Sequence, residues 1–405
     1  MKPIPAFSTF ELPRKSQPPV RKPCALWEAG FRPFFLGAAT CGLLGVGLWV
    51  ALWQRGTMTL GGIDLLAWHR HEMIFGFTIA VIAGFLLTAP ASWTGQAMPR
   101  GAVLAGMFGL WLAGRVAGLL PGLPAWLRVL TSVAFLPALA LAVALPILRA
   151  RQWRNLVFVV LLGGLAVAQL VMLLGGLGWH PAAGVAAGDV AVGLVLVMIT
   201  IMGGRVIPFF TARALGRKES VAHPALNLAA PVLLALAVLL DTAEAAAWPR
   251  AGLWLAAGTV AAWRLGVWHR VGVWSAPLLW SLHGSFVFLV LGCLLKAGAA
   301  LGWVAPMLAR HALTVGTIGL ICLGMMARVS RGHTGRPLTV DRLTHASLAL
   351  AALAGMARAL PALAFPSIYL LAVGVSGVLW CLALGLFLLA HSRMLVFGRP
   401  DGLPG

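Results

Sequence analysis

The sequence predicts an all-α integral membrane protein with about twelve transmembrane helices. Of the 405 residues, 60% are hydrophobic and only 10% are charged, and the mean hydropathy is +0.94. Soluble domains carry roughly 45–50% apolar and about 25% charged residues. The composition therefore excludes a soluble globule, a disordered chain, a coiled coil and a collagen.

Apolar runs follow one another along most of the chain. A helix of about 20 residues crosses the roughly 30 Å hydrocarbon core of a bilayer. The runs are long and unbroken rather than alternating ten-residue segments, which favours helices over strands. The predicted spans are 31–53, 72–90, 102–120, 126–148, 155–178, 186–209, 226–243, 250–266, 275–301, 306–327, 344–362 and 366–390.

The positions of the cations predict the orientation of these spans. Lys and Arg number 30 against 10 Asp and Glu, and a net charge of +20 alone would suggest nucleic-acid binding. With both termini cytoplasmic, however, 22 of the 30 cations fall at the inner side. We therefore expect a bilayer and no nucleic acid as partner, with a cytoplasmic basic arm (1–30), a transmembrane domain (31–392) and a cytoplasmic tail (393–405).

Spans 2, 6 and 10 share a short pattern. Arg205 and Arg328 end spans 6 and 10 in similar surroundings, and a glycine follows His71 and His311 by five residues. Helices four apart in order suggest three four-helix units. A chance match in a Gly- and Leu-rich chain is the alternative.

Polar residues concentrate at the start of span 2, where His69, His71 and Glu72 lie close together. Ionisable groups at membrane depth are costly and are functional candidates by default. On a helix, side chains two residues apart point roughly 200° apart. The histidines would serve two centres on opposite sides of the helix, or one centre if its start is frayed. An interfacial anchor is the alternative.

Two more histidines lie inside apolar spans, His283 in span 9 and His311 early in span 10. Neutral imidazole ligates haem iron, copper and zinc. Histidines from two helices at matching depth, such as His71 and His311, are what a six-coordinate haem requires. For His283, a hydrogen bond to a neighbouring backbone group is the alternative.

Two arginines on the inner side are candidate anion-binding residues. Arg205 follows Gly203 and Gly204, and Arg328 precedes a loop that contains His333. Glycine allows close backbone approach, and arginine suits carboxylate or phosphate oxygens, so haem propionates, lipid phosphates or a coupling anion would fit. Positive-inside loops with helix-stop residues are the alternative.

Walker A, GxGxxG, GxSxG and HExxH motifs do not occur in the sequence. Nucleotide hydrolysis, hydride transfer by a Rossmann unit, and hydrolysis of the serine or zincin type therefore have no local support.

Several motifs, in order over residues 28–395, resemble those of the NnrS family. They are FRPFF at 31–35, WHRHEMIFG at 68–76, GRVIPFFT at 204–211, LH at 282–283, HA at 311–312 and GHTGRPL at 332–338. The resemblance implies a bacterial inner-membrane protein that contains haem, expected to be b-type, and copper, and is linked to nitric oxide metabolism and nitrosative stress. It implies metal roles, without dividing them between iron and copper, for His69, His71, His283, His311 and His333.

A wider analogy is with the twelve-helix haem–copper oxidases and nitric oxide reductases, which hold a haem between helices 2 and 10. It implies that His71, or His69, pairs with His311. The chain lacks an adjacent His-His pair and a His-Pro-Glu-Val-Tyr motif, and its single tyrosine is Tyr369. A mechanism with a cross-linked tyrosine is therefore not expected.

We expect a nitric oxide reductase-like oxidoreductase that binds and reduces nitric oxide. Glu72 is the candidate proton relay. Without a CxxCH motif for covalent haem, electrons would come from quinol or from a redox protein. The expected cofactor-binding residues are His71, His311, His69, Arg205 and Arg328.

Two other function classes stay open. One is a transporter of copper, haem or a small ligand, which helices broken at Gly203, Gly204 and Pro208 would suit. The other is a non-catalytic protein that senses nitric oxide or protects against it.

Overall fold

The computed structural model describes residues 24–220 and 222–401, and twelve long helices account for most of them. The helices are α1 (Phe31–Gln54), α2 (Leu65–Thr94), α3 (Gly101–Leu119), α4 (Ala125–Arg149), α5 (Trp153–Gly176), α6 (Pro181–Leu215), α7 (Pro224–Thr242), α8 (Ala247–Trp268), α9 (Pro277–Ala300), α10 (Pro306–His333), α11 (Arg342–Ala359) and α12 (Pro366–Val396). A small antiparallel hairpin, β1 (Thr59–Leu60) and β2 (Ile63–Asp64), joins α1 to α2. The predicted all-α class is confirmed.

Ten of these helices are long and apolar enough to cross a membrane, counted over the described residues. The two that fall short, α8 and α11, have 22 and 18 residues, and each carries two arginines. Arginine lowers the hydropathy of a helix sharply, and Arg264 and Arg358 are buried inside the bundle. The chain is therefore a polytopic membrane protein.

Helices that follow one another in sequence pack side by side, and α12 packs against α1. Three helices make additional contacts towards the interior. The contacts of α2 are with α1, α3, α4, α5 and α10, those of α6 with α5, α7, α8, α9 and α10, and those of α10 with α1, α2, α6, α9, α11 and α12. Within their apolar windows, 72% of α2 and 83% of α10 are buried, against 39% of α1. The predicted pairing of helices 2 and 10 thus corresponds to two interior helices.

Both α2 and α10 contain a π-helical segment that starts immediately after a histidine. Glu72–Thr78 follows His71, and Ala312–Gly319 follows His311. π-helical turns are rare and are found frequently at functional sites. The sixth helix, α6, is α-helical throughout and has no such segment. The structure therefore supports a likeness between α2 and α10 but not between either of them and α6.

The described chain begins and ends at the same end of the bundle. The backbone N–H of Ala25 donates to the last residue of α12 over 2.8 Å. The buried guanidinium of Arg32 donates to the carbonyls of Met394, Leu395 and Phe397 at 3.1, 3.0 and 2.9 Å. The last carbonyls of a helix have no partner within it, so Arg32 caps α12. We call this end of the bundle the terminal face and the opposite end the far face.

The predicted domain boundaries lie close to the ends of the first and last helices. Residues 1–23 of the expected arm lie outside the described residues, Ala25 packs against α12, and α1 begins at Phe31, the predicted start of the transmembrane domain. The tail is predicted from residue 393, and α12 continues to Val396. The hydrogen bonds from Arg32 hold the last turn of α12, so this helix extends beyond the apolar run from which its span was predicted.

Three helices differ from the predicted spans in a way that matters for function. The second helix begins at Leu65 and not at residue 72, because the Asp64 carboxylate accepts the Ala67 N–H at 2.8 Å and caps the first turn. The tenth runs through Arg328 to His333. The sixth continues without interruption through Gly203 and Pro208, so the predicted helix break is wrong.

Candidate functional site

His71 lies in a buried polar cluster between α2, α3 and α5. The Glu72 carboxylate, which forms an ion pair with Nε of Arg115 at 3.0 Å, also accepts from Nδ1 of His71 at 2.9 Å. The other ring nitrogen, Nε2, lies 3.2 Å from the amide nitrogen of Gln169 and accepts its hydrogen. Both nitrogens of His71 are therefore occupied by protein groups.

The π-helical segment of α2 makes room for this cluster. A Cβ at Gly76 would lie 2.8 Å from the Glu72 carboxylate and 2.7 Å from Sγ of Cys41. The Phe75 carbonyl in the same segment accepts a hydrogen bond from the guanidinium of Arg115. The glycine that follows His71 by five residues is thus needed for the space that Glu72 occupies.

His69 lies on another side of α2 and meets a different set of residues. Its ring stacks on Trp49 with centroids 4.2 Å apart, and its Nδ1 is buried with no hydrogen-bond partner among the described residues. It lies close enough to Arg358 of α11 and His311 of α10 to interact electrostatically with both. The prediction that the two histidines serve opposite sides of one helix is consistent with this arrangement, because α2 is not frayed here.

His311 is oriented as a ligand would be. Its Nδ1 hydrogen-bonds to the carbonyl of Met307 at 2.8 Å, which places the proton on Nδ1 and leaves a lone pair on Nε2. Metal-bound histidines commonly donate their second ring N–H to a carbonyl in this way. His69 and His311 therefore provide two imidazole donors from two interior helices, which fits the donor set of a haem iron.

A comparable set of donor side chains for a separate copper centre does not occur among the described residues. Among residues 24–220 and 222–401, no three His, Cys, Asp or Glu side chains are grouped so that they could hold a metal ion. Copper remains a prediction from the family resemblance, and we derive no step through it.

The other two histidines with predicted metal roles lie elsewhere. His283 is fully buried on α9, and its Nδ1 hydrogen-bonds to the Leu279 carbonyl at 3.0 Å, the backbone bond considered as the alternative. Its Nε2 is buried without a partner among the described groups. His333 is exposed at the end of α10, with its ring 5.6 Å from that of Phe31. The five predicted histidines thus occupy several places, and of these His69 and His311 lie near the same end of the contacting helices α2 and α10.

The space beside Gly203 and Gly204 is filled by other side chains of the protein. A Cβ at Gly203 would lie 2.4 Å from the ring of Phe286, and one at Gly204 would lie 2.1 Å from the guanidinium of Arg264. That guanidinium is buried and donates to the carbonyl of Thr200 at 3.0 Å. The expectation that these glycines admit a ligand or break the helix is therefore corrected.

The two arginines predicted to hold a cofactor are engaged within the bundle. Arg205 donates to the side-chain oxygen of Asn155 at 2.7 Å and lies 5.4 Å from the ring centroid of Phe158. Arg328 is buried and lies 3.8 Å from the ring centroid of Phe210. These cation–π contacts give the arginines a role in packing α6 against α5 and α10.

Several cations away from the terminal face are neutralised by carboxylates. Besides Arg115, the ion pairs join Arg310 to Asp189 at 3.0 Å and Lys296 to Asp241 at 2.6 Å. Both pairs line a cavity of about 20 Å³, close to the size of a single water. Each of these partly buried cations therefore has a carboxylate partner, which lowers the cost of its position within the bundle.

The residues that sequence reasoning missed are the partners of the histidines. Gln169, Arg115 and Arg358 lie in apolar helices and are buried. The sequence signal that indicates them is a polar or charged residue inside an apolar helix, because such a residue is costly at membrane depth without a partner.

The comparisons with known proteins agree with this architecture. A search of curated proteins finds no match. The family model described as NnrS protein matches residues 25–399, nearly the whole chain. The chain therefore belongs to the NnrS family, which links it to nitric oxide metabolism.

Proposed function

We propose that this membrane protein binds haem through His69 and His311 and that it binds and reduces nitric oxide. The observation that supports the proposal is that the contacting interior helices α2 and α10 each carry an imidazole with a ring nitrogen free to act as a ligand, Nδ1 of His69 and Nε2 of His311, among the described residues. His71, which the sequence put first as the partner of His311, has both ring nitrogens engaged by Glu72 and Gln169. A haem held by both imidazoles would supply single-electron transfer, and nitric oxide would reach its iron only in place of one of the two histidines, because two imidazoles complete a six-coordinate haem.

The surrounding side chains have roles that follow from their contacts. The hydrogen bond from His311 to the Met307 carbonyl holds the ring and raises its basicity as a ligand. Arg358 is buried on α11, and a positive charge in this part of the bundle would favour a bound group that carries negative charge.

Glu72 remains the proposed proton carrier. Reduction of two nitric oxide molecules takes two electrons and two protons and yields nitrous oxide and water. The carboxylate shares a hydrogen with Nδ1 of His71 at 2.9 Å, so a proton can reside on either group. The Arg115 ion pair favours the ionised carboxylate.

Nitric oxide consumption by the purified, dithionite-reduced protein tests the proposal. We expect the wild type to remove nitric oxide from anaerobic solution, measured with an electrode, and His69→Ala and His311→Ala to lose this activity. His345→Ala, an exposed histidine on α11, is the matched control and should keep it. A wild-type protein that contains haem yet consumes no nitric oxide would instead support binding or sensing, and one without haem would contradict the proposal.

A further inference from the structure

A cavity of about 260 Å³ opens at the far face, between the connection from α9 to α10 and the connection from α11 to α12. A water occupies about 30 Å³ in the liquid, so the cavity is large enough for a small molecule. Most of its wall is apolar and aromatic. Its main lining residues are Trp303, Val304, Leu308, Leu363, Pro366 and Tyr369.

One polar group stands out in this wall, the hydroxyl of Tyr369. Its oxygen accepts a hydrogen bond from Nη2 of Arg358 at 2.8 Å, and the guanidinium carbon lies 4.8 Å from the centroid of its ring. Because arginine only donates, the hydroxyl hydrogen of Tyr369 is left to bond an oxygen in the cavity. Arg358 is 4% exposed, and its Nη1 is buried with no partner among the described residues.

The cavity lies at the same end of the bundle as the histidine pair. Tyr369 stands near the start of α12 and Arg358 near the end of α11, so their hydrogen bond joins the two helices beside the cavity. His69 and His311 lie near the starts of α2 and α10, which are also at the far face. A molecule bonded to Tyr369 would therefore lie at the same end of the bundle as the two imidazoles.

We infer that the cavity binds the ring of a membrane quinol, with one ring oxygen hydrogen-bonded to Tyr369. A flat, mostly apolar ring with oxygens at its edge matches an apolar wall that carries one hydroxyl. Trp303 and Phe365 at the same end are 74% and 63% exposed. Exposed aromatic side chains are typical of the headgroup level of a bilayer, where a quinol with an apolar tail would enter.

The inference rests on the proposed function for its purpose, since nitric oxide reduction needs an electron donor. A quinol that is oxidised to the quinone gives up two electrons and two protons. Reduction of two nitric oxide molecules to nitrous oxide and water takes up the same two electrons and two protons, so one quinol balances two nitric oxide molecules. The released protons can leave through the cavity mouth at the far face.

Photolabelling with a short-chain azidoquinone tests the site in the full-length protein in lipid nanodiscs. We expect labelled peptides from residues 303–308 or 363–369. Leu363→Trp fills the cavity and should abolish this labelling, and Tyr369→Phe keeps the ring but should weaken binding about tenfold, the usual effect of one lost hydrogen bond. Leu177→Trp, at an exposed position on the same face outside the cavity, should label like wild type.

The haem absorption spectrum is recorded on the same samples and separates the two proposals. Equal labelling of wild type, Leu363→Trp and Tyr369→Phe, or labelling elsewhere in the chain, would overturn the quinol site. Haem without labelling would also overturn it and leave the proposed function standing, with a redox protein as donor. Site-specific labelling without haem would support the quinol site and contradict the haem proposal.

Discussion

His69 and His71 are separated by one residue on α2, yet they belong to different polar environments. His71 hydrogen-bonds to Glu72 at 2.9 Å inside a cluster with α3 and α5, whereas His69 stacks on Trp49 of α1 and approaches α10 and α11. The helical spacing of side chains produces this division. It leads us to treat His69 as a ligand candidate and His71 as part of a structural and proton-carrying cluster.

The Glu72 cluster should be important for stability. Replacing Glu72 by alanine leaves the buried guanidinium of Arg115 without its carboxylate, and breaking a buried ion pair costs about 3–5 kcal/mol. We expect the thermal unfolding midpoint in detergent to fall markedly for Glu72→Ala. The exposed Glu244→Ala serves as control and should unfold like wild type. An unchanged midpoint for Glu72→Ala would show that the ion pair contributes nothing to the fold.

Gly204 should tolerate no side chain. In Gly204→Ala the new methyl would lie 2.1 Å from the Arg264 guanidinium, and such overpacking costs about 1–3 kcal/mol. Gly163→Ala is the matched control, because no heavy atom lies within 4 Å of the Cβ position and alanine favours helix. Unfolding in detergent should rank Gly204→Ala below wild type and Gly163→Ala at or above it. The reverse order would mean that Arg264 is not packed against Gly204.

Arg32 should hold the end of α12. Arg32→Ala removes charged hydrogen bonds to three carbonyls, and we expect the free energy of unfolding to fall by about 2–3 kcal/mol. Limited proteolysis should also cut the chain near Met394 faster than in wild type. Arg55→Ala, an exposed arginine at the far end of α1, is the control for loss of charge alone. Equal proteolysis of the two variants would contradict the capping role.

The sequence was sufficient for the twelve helices, because runs of about 20 apolar residues have few other uses. It was less informative where helices extend beyond those runs. The Asp64 cap starts α2 at Leu65, seven residues before the apolar run, and the Arg32 cap extends α12 to Val396. These caps depend on single polar atoms, one of them contacting a helix more than 300 residues away in the chain.

The candidate site was predictable in its residue types but not in its pairing. His69, His71 and His311 stand out in a chain with so few polar residues. Which of the first two meets His311 depends on the rotation of α2, and that rotation is fixed by partners such as Gln169 on a distant helix. For the same reason, the sequence alone presents Arg205 as a free anion ligand, whereas in the fold its guanidinium donates to Asn155.

Haem binding through His69 and His311 is tested most directly by the haem absorption spectrum. We would purify wild type, His69→Ala, His311→Ala and His71→Gln and compare their dithionite-reduced Soret bands at equal protein concentration. We expect His69→Ala and His311→Ala to lose the band and His71→Gln to keep it. Full haem content in His69→Ala, with loss in His71→Gln, would contradict it.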